Sequence, residues 1–298
     1  GGLTLEYARS VVRLWQEREL RTVAAQLITD VDSASLPTED AIANLVRRAE
    51  SIRDGMTEPE SSEFTMAATL EAFQNQPDAE VIRTGIDLLD YGTRGGFRRG
   101  QFIVVGARPS VGKSALCGQI ALSMASGGKP VMYLSFEMSP NEMTARWLNQ
   151  GEVSLAHEME RDAFAALPLR AIGSAGWSID RVESESRLAV HRHGMACLVV
   201  DYLGLIRPSD TRTNRVEQVS DMTRRLKQLA ATLDIVVLSA HQFNRQKEGR
   251  EVARPKMSDF RDSGSVEQDA DILIGLDRDL TPGSSADATL YVMKQRSG

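Results

Sequence analysis

The sequence has 298 residues, 42% of them hydrophobic, with a formal net charge of −6 and a pI of about 5.4. This composition supports one large globular domain with an appendage, and it argues against a protein coated in positive charge. No stretch approaches the ~20 consecutive apolar residues of a membrane span, and no signal peptide is visible at the start. The sequence therefore predicts no membrane partner, while the charge does not exclude a local basic channel for nucleic acid.

The two cysteines, Cys117 and Cys197, lie in apolar stretches without the spacing of metal ligands. The four histidines are scattered along the chain. This pattern predicts inert core thiols in a reducing compartment and no cluster of soft metal ligands. We therefore expect a cytoplasmic protein.

Residues 1–54 are predicted to form a helical hairpin that is separate from the main domain, because apolar residues recur at helical spacing on both sides of a break at residues 33–37. Residues 55–80 are predicted to be a polar linker that contains one short amphipathic helix, with Met66, Leu70 and Phe73 on its apolar side. The residues alone leave two docking sites open for this helix, a neighbouring subunit or its own core.

From residue 81 onward, buried strands alternate with helices. This alternation predicts an α/β domain over residues 81–298 with a mostly parallel sheet. Strands are predicted at residues 101–107, 131–137, 196–203, 235–240, 271–276 and 288–294. Helices are predicted at residues 113–126, 140–149, 178–192 and 215–233. Ligands of such a sheet bind at the carboxyl ends of its strands.

The first of these strands leads into a phosphate-binding loop. Ala stands where the strict pattern has Gly, and Gly106 lies one residue early. Gly112 lets backbone N–H groups approach phosphate oxygens, Lys113 brings a cation to the β- and γ-phosphates, and Ser114 supplies a hydroxyl for Mg²⁺. The sequence therefore predicts ATP and Mg²⁺ as cofactors. The predicted ATP-binding residues are Ala107, Arg108, Pro109, Ser110, Val111, Gly112, Lys113 and Ser114.

Polar residues stand near the ends of three other predicted strands. Asp201 ends an apolar run and is predicted to associate with Mg²⁺, with capping of a turn as the alternative. Glu137 ends a second strand, where a carboxylate can orient or deprotonate the water that attacks the γ-phosphate. Gln242 follows a third strand, where an amide can sense the γ-phosphate or simply end the strand. The carboxylates that compete with Glu137 for its role are Glu142, Glu152 and Glu158.

Two further features carry positive charge. The segment from Asn244 to Arg261 has six cations, Arg250 among them, against three carboxylates, and it predicts a mobile loop. Such a loop at strand ends suits a nucleic-acid backbone, with a solvated surface loop as the alternative. Near the end of the chain, Lys294 and Arg296 end the last strand. An arginine placed there either completes a neighbouring subunit's site or is simply solvated.

Six stretches of the chain together resemble the DnaB-type replicative DNA helicases, whose ATPase core is RecA-like. They cover residues 84–116, 133–139, 199–206, 238–245, 258–274 and 294–298, and the stretch DFRDSGSVEQDAD is especially specific to this family. The resemblance covers residues 81–298 well and residues 1–74 more loosely. It implies a homohexameric ring that moves 5′ to 3′ on single-stranded DNA and unwinds the replication fork. It also implies a bacterial or phage-infected cell, with primase and a helicase loader as partners.

The resemblance also implies roles for individual residues. Glu137 would be the catalytic base, Asp201 the Mg²⁺-associated acid and Gln242 the γ-phosphate sensor. Arg296, with Lys294, would act in trans on the ATP of the adjacent subunit, and the linker helix would dock on that subunit. Single-stranded DNA would be contacted by Arg261, Asp262 and Gly264, to which the basic segment adds Arg250.

The chain departs from the family pattern at several positions. Ser114 stands where Thr is usual, His241 makes the stretch before Gln242 unusual, and Asp262 replaces the commoner Glu. The globular N-terminal head is absent and the chain stops at Gly298 inside a motif that normally continues, so we expect a piece of a longer protein. Two other functions compete with unwinding: a RecA-like ATPase for strand exchange or remodelling, and a nucleotide-dependent assembly module.

Overall fold

The structure of the chain is a computed structural model, and it describes residues 21–26, 28–29, 40, 42–48, 80–149, 161–210, 212–243, 254–260, 264–279 and 287–296. The chain divides into two compact units, Gly1–Asp78 with Asp180–Ser184 and Ala79–Ile179 with Glu185–Gly298. In the first unit, residues 21–26, 28–29, 40 and 42–48 are helical. The predicted break at residues 33–37 and the predicted linker helix lie outside the described residues, so the hairpin and linker stay predictions.

The second unit contains two sheets. A small antiparallel sheet pairs β1 (Val81–Ile82) with β2 (Phe97–Arg98). A seven-stranded sheet has the order β5-β4-β6-β7-β3-β8-β9, in which every neighbouring pair is parallel except β8 and β9. The strands of the large sheet are β3 (Phe102–Ala107), β4 (Val131–Ser135), β5 (Leu169–Gly173), β6 (Cys197–Asp201), β7 (Val236–Gln242), β8 (Ile272–Arg278) and β9 (Ala288–Gln295).

Helices connect these strands at nearly the predicted positions. The long helix α6 (Arg215–Leu233) illustrates the reason. Asn214 caps its amino end by accepting a hydrogen bond from the Glu217 N–H at 3.0 Å, and buried Met222, Leu226 and Leu229 form a stripe at helical spacing. None of the described helices is long and apolar enough to cross a membrane. The helices are α1 (Asp87–Gly92), α2 (Lys113–Ser126), α3 (Pro140–Asn149), α4 (Arg161–Ala165), α5 (Ile179–His193), α6 (Arg215–Leu233) and α7 (Gly264–Asp269), with 3₁₀ turns at Leu203–Leu205 and Met257–Phe260.

The core lies around the central strands. Every residue of β3, β4 and β6 is buried, because both faces of the sheet are covered, and this explains their continuous apolar sequences. Cys117 and Cys197 are free thiols within this core, and burial raises the pKa of the Cys197 thiol to about 12. The edge strands β5 and β9 are only partly buried. The predicted mostly parallel α/β sheet is therefore confirmed, although β5 was not predicted and β9 runs antiparallel.

Part of the predicted basic loop is a packed turn. Its 3₁₀ turn ends at Phe260, which is buried and packs edge to face on Phe243, with ring centroids 4.9 Å apart. Both rings lie over Gly106, where a Cβ would come within 2.3 Å of Phe243 and 2.4 Å of Phe260. The early glycine of the phosphate loop therefore has a packing function, and Phe260 belongs to the core.

We expect Gly106→Ala to destabilise the domain by about 1–3 kcal/mol, because an added methyl group forces the two aromatic rings out of a filled space. Urea unfolding monitored by circular dichroism measures this change. Gly92→Ala is the matched control, since a Cβ there makes only an ordinary contact with Val292 at 3.4 Å. Equal unfolding midpoints for Gly106→Ala and the wild type would contradict the packing argument.

Candidate nucleotide site

The connection between β3 and α2 forms a cradle at the amino end of α2. β3 ends at Ala107 and α2 begins at Lys113. Gly112, the N-cap residue of α2, has a φ of 115°, and a Cβ built on it would meet no atom within 4 Å. Ser110 also has a positive φ, 64°. The first N–H groups of a helix have no intrahelical partners, so this open space suits an anion.

Lys113 places its ammonium over this loop. Its Nζ donates a hydrogen bond to the carbonyl oxygen of Arg108 at 3.2 Å. Burial lowers the pKa of the Lys113 ammonium, while the negative charges of Asp201 and Glu137 act in the opposite direction. The lysine therefore lies in the electrostatic field of both predicted carboxylates, as a phosphate-binding cation beside a metal site must.

Asp201 ends β6 and is only 6% exposed. Its Oδ2 accepts a hydrogen bond from the Tyr133 hydroxyl at 2.8 Å. Burial raises the pKa of the Asp201 carboxyl, and the Tyr133 hydroxyl, the nearby side chain of Ser114 and the charge of Lys113 oppose that rise. The structure thus brings together Lys113, Ser114 and Asp201 at one edge of the sheet.

Glu137 lies two residues beyond the end of β4 and is exposed. The predicted strand ran to this residue, whereas the observed strand ends at Ser135. The register pairs Ser135 with Asp201, so the chain after β4 leaves the sheet beside the carboxyl end of β6. The charge of Glu137 acts on both Asp201 and Lys113, which places it close to the loop and open to solvent. A group that orients or deprotonates an attacking water must lie close to the phosphate site and be accessible to solvent, as Glu137 is.

The competing carboxylate Glu142 has a structural contact of its own. Its Oε2 accepts a hydrogen bond from the Ser139 N–H at 2.7 Å, and the Ser139 hydroxyl accepts one from the Glu142 N–H at 3.3 Å. This reciprocal pair is a capping box at the amino end of α3. The capping box explains why Glu142 is present and leaves Glu137 as the better-placed candidate. The other competitors, Glu152 and Glu158, lie outside the described residues.

Gln242 is the last residue of β7 and is half-buried. It pairs in register with Ala107, the residue at which β3 gives way to the phosphate loop. The next residue, Phe243, donates its N–H to the carbonyl oxygen of Ala107 at 3.0 Å. Gln242 therefore lies at the level of the loop, where an amide sensor would have to be.

Lys294 lies on β9 at the other end of the sheet. Its Nζ donates to the carbonyl oxygens of Glu267 at 2.6 Å and Ala270 at 2.7 Å. Glu267 lies in the last turn of α7 and Ala270 directly follows that helix, so Lys294 caps its carboxyl end. Burial lowers the pKa of the Lys294 ammonium, and the charge of Arg296 lowers it further.

Arg296 is separated from the phosphate loop of its own chain by the length of β3. Its N–H donates to the carbonyl oxygen of Asp271 at 2.9 Å, and the Asp271 carboxylate accepts from the N–H of Phe102, the first residue of β3. The loop begins at Ala107, five residues further along, which is roughly 16 Å of extended strand. The Arg296 side chain donates to the carbonyl oxygen of Gln268 and is half exposed. Arg296 therefore cannot reach the nucleotide site of its own chain.

The predicted DNA-binding residues are described only in part. Gly264 begins α7, in which the Ser265 hydroxyl and the Asp269 carboxylate accept hydrogen bonds from Ser220 and Thr223 of α6. Arg250, Arg261 and Asp262 lie outside the described residues, so their DNA contacts stay predictions.

The residues at the loop fit a nucleotide with Mg²⁺. The open helix terminus and Lys113 suit phosphate groups, and the Ser114 hydroxyl beside the Asp201 carboxylate offers the hard oxygen ligands that Mg²⁺ prefers. Magnesium normally takes its other ligands from water and phosphate oxygens. Among the residues that the structure describes, no group of three or more His, Cys, Asp or Glu residues could hold a metal ion.

Residues 81–298 match the family model for the DnaB-like helicase C terminal domain. The chain belongs to this family. The replicative DNA helicase DnaB of Geobacillus stearothermophilus is 34% identical over 252 residues, which cover 77% of this chain and 55% of the relative. The probable plasmid replicative DNA helicase of Chlamydia psittaci is 34% identical over 196 residues, which cover 60% and 43%. The chain spans about half the length of these curated relatives.

Solved structures share the fold of this DnaB-like domain. A DnaB-like replicative helicase, studied with its interactions with primase, superposes with a TM-score of 0.73 at 26% identity and covers 98% of this chain and 74% of its own. A second structure, described as an ATPase domain, has a TM-score of 0.67 at 28% identity and covers 78% of this chain and 89% of its own. The predicted RecA-like ATPase fold is confirmed.

Two polar residues of this DnaB-like domain were not among the predicted site residues. Tyr133 lies in an apolar strand, where a core position was the simplest interpretation. The signal that could have identified Tyr133 is the strand in which it lies, because β4 neighbours β6, the strand that ends at Asp201. Asp271 accepts hydrogen bonds from the Phe102 N–H at 2.8 Å and from Lys227 Nζ at 2.6 Å. It lies within the most family-specific stretch, and that was the available signal.

Proposed function

We propose that this chain is the ATPase core of a ring-shaped replicative DNA helicase. Hydrolysis of ATP would drive the ring 5′ to 3′ along single-stranded DNA and separate the duplex at the replication fork. The observation that carries the proposal is the assembly of Lys113, Ser114 and Asp201 at one sheet edge of a DnaB-like domain, with Arg296 at the opposite edge. A site divided in this way suits a protein that hydrolyses ATP between subunits.

Within one subunit, each residue has a distinct task toward the nucleotide. The backbone N–H groups at the start of α2 and the ammonium of Lys113 hold the phosphates. Ser114 and Asp201 hold Mg²⁺, which when bound neutralises charge that develops on the phosphate oxygens. Glu137 accepts the proton of the attacking water, and its exposed position beside the loop supports this role. Gln242 reports the presence of the γ-phosphate.

Between subunits, Arg296 and Lys294 supply positive charge to the ATP of the neighbour. The support for this assignment is the separation of Arg296 from its own loop by the length of β3. A homohexamer places every nucleotide site against the next subunit, so that hydrolysis and movement are linked around the ring. We propose that the hairpin of residues 1–54 and the linker helix of residues 55–80 contribute to that assembly, with the linker helix docked on the adjacent subunit.

The proposed partners follow from the family. A relative of known structure was studied with its interactions with primase, and by analogy we propose primase as a partner of this helicase. A helicase loader would open or deliver the ring. The matched relatives include bacterial replicative helicases, so we propose the cytoplasm of a bacterial or phage-infected cell as the place of action.

Strand separation on forked DNA tests the proposal. The full-length protein is incubated with ATP, Mg²⁺ and one of two forks, the first with only a 5′ tail on the loading strand and the second with only a 3′ tail. A bulky flap on the excluded strand blocks its entry into the ring. We expect unwinding that requires the 5′ tail. ATP hydrolysis without unwinding of either fork would favour a strand-exchange or remodelling ATPase, and nucleotide binding without turnover would favour an assembly module.

We expect Arg261→Ala to weaken binding of single-stranded DNA and to lower the slope of log affinity against log salt by about one unit, because one phosphate contact is lost. Fluorescence anisotropy of a labelled oligonucleotide, measured over a range of salt concentrations, provides both values. Arg212→Ala is the control, since the Arg212 side chain is 90% exposed and pairs with Asp210. An affinity and slope equal to those of the control would mean that Arg261 makes no DNA contact.

A further inference from the structure

The Tyr133 hydroxyl contacts both residues that we assign to Mg²⁺. Tyr133 lies in the middle of β4 and is 1% exposed. Its Oη donates to Asp201 Oδ2 at 2.8 Å and lies 3.5 Å from the backbone carbonyl oxygen of Ser114. The ring alone would fill the core at this position. The hydroxyl therefore adds a polar contact at the metal site that packing does not require.

The Tyr133 ring has little freedom to move. Trp147 of α3 packs edge to face against it, with ring centroids 5.4 Å apart and an interplanar angle of 74°. Trp147 reaches this position because α2 carries Gly118 there, where a Cβ would lie 2.5 Å from Trp147 Nε1. Strand β4, helix α2 and helix α3 thus all fix the point from which the hydroxyl donates.

The hydroxyl in turn restricts the carboxylate. A tyrosine hydroxyl keeps its proton at neutral pH, so the Tyr133 hydroxyl acts as a donor toward the Asp201 carboxylate. Asp201 is 6% exposed, so few water molecules compete for its oxygens. A donor fixed at 2.8 Å from Oδ2 holds the carboxylate in one rotation about its Cβ–Cγ bond.

We propose that Tyr133 is a positioning residue that holds Asp201 in the orientation for Mg²⁺ and thereby selects Mg²⁺ over Ca²⁺. Mg²⁺ demands near-ideal octahedral geometry at 2.0–2.1 Å, whereas Ca²⁺ accepts longer, flexible and often bidentate carboxylate contacts. A carboxylate that cannot rotate serves the smaller ion and disfavours the bidentate contact. This inference rests on the proposed function, in which Ser114 and Asp201 hold the metal of a bound nucleotide.

The test compares the two cations in nucleotide binding by the full-length protein. Binding of fluorescent ADP to the wild type and to Tyr133→Phe is measured while the free Mg²⁺ or free Ca²⁺ concentration is raised. ADP is used so that no turnover occurs. We expect the half-maximal Mg²⁺ concentration to rise about tenfold in Tyr133→Phe, a loss typical for removal of a partner that orients a metal ligand. The Ca²⁺ value should change by less than twofold, so that selectivity falls. Tyr291→Phe, on β9, is the matched control and should change neither value.

The other outcomes distinguish failure of the inference about Tyr133 from failure of the proposed function. Unchanged Mg²⁺ and Ca²⁺ values in Tyr133→Phe overturn the inference and leave the proposed function intact. An equal loss for both cations, with a lower thermal midpoint in the absence of nucleotide, means that the hydroxyl only supports the fold and also overturns it. If the wild type binds nucleotide with neither cation, the proposed function itself is wrong.

Discussion

Glu137→Gln is expected to lower the turnover of ATP by about 10²- to 10⁴-fold while nucleotide binding stays within about twofold of the wild type. The amide has nearly the same shape as the carboxylate but cannot accept a proton from water. Glu137 is exposed and its charge acts on both Lys113 and Asp201, so the substitution removes a base beside the loop without disturbing buried packing. Phosphate release in the steady state measures turnover, and fluorescent ADP measures binding.

Glu142→Gln is the matched control, because Glu142 lies close in sequence but caps α3. We expect it to keep at least half of the turnover and to leave the fold intact, because glutamine at this position also completes a capping box. If Glu142→Gln lost turnover and Glu137→Gln did not, the two roles would be exchanged. Loss of nucleotide binding in Glu137→Gln would show that the residue shapes the site, and it would contradict the assignment as a base.

The sequence predicted the sheet well because its central strands are buried on both faces. Continuous apolar runs such as those of β3, β4 and β6 have few interpretations in a domain with alternating helices. β5 was missed because it is an edge strand, half-buried, with Arg170 exposed on it. The antiparallel direction of β9 depends on which edge it joins, and strand composition carries no information on that.

The arrangement of the candidate nucleotide site was predictable where its residues are adjacent in sequence and less so where it depends on packing. Lys113 and Ser114 are consecutive residues, so their spacing is set by the sequence itself. Asp201 comes to them only through the order of the strands, yet its position at a strand end was enough. Tyr133 joins them through a side-chain contact across strands, which no spacing rule describes. Gly106 shows the reverse case, since it resembles a phosphate-loop glycine but accommodates two aromatic rings.

Arg296→Ala is expected to reduce the turnover of the assembled protein by about a thousandfold or more, the effect typical for removal of a cation that completes a neighbour's site. Nucleotide affinity should fall far less, because the phosphate loop of each chain is intact. The geometry gives the reason: Arg296 lies beside Asp271 and Phe102 at the start of β3, at the opposite edge from its own loop. Arg278→Ala, an exposed arginine at the far end of β8, is the control and should retain normal turnover.

Mixing of two inactive variants decides whether Arg296 acts between subunits. Lys113→Ala removes the phosphate-binding cation but leaves Arg296 in place, and Arg296→Ala does the opposite. In a mixed ring, an intact loop from an Arg296→Ala subunit can meet an intact arginine from a Lys113→Ala neighbour. We therefore expect mixtures to regain a substantial part of the wild-type turnover, with a maximum near equal proportions.

The same mixture separates a catalytic role from a structural one. The side chain of Arg296 also contacts the carbonyl oxygen of Gln268 and the Asp271 carboxylate, so its removal could loosen α7 within its own subunit. A subunit damaged in this way would stay inactive beside any neighbour, and mixtures would show no more turnover than the separate variants. Recovery in the mixture requires a sound loop in the Arg296→Ala subunit and an arginine supplied from the next one. Such recovery would explain why one chain carries the two halves of its nucleotide site on opposite edges of the sheet.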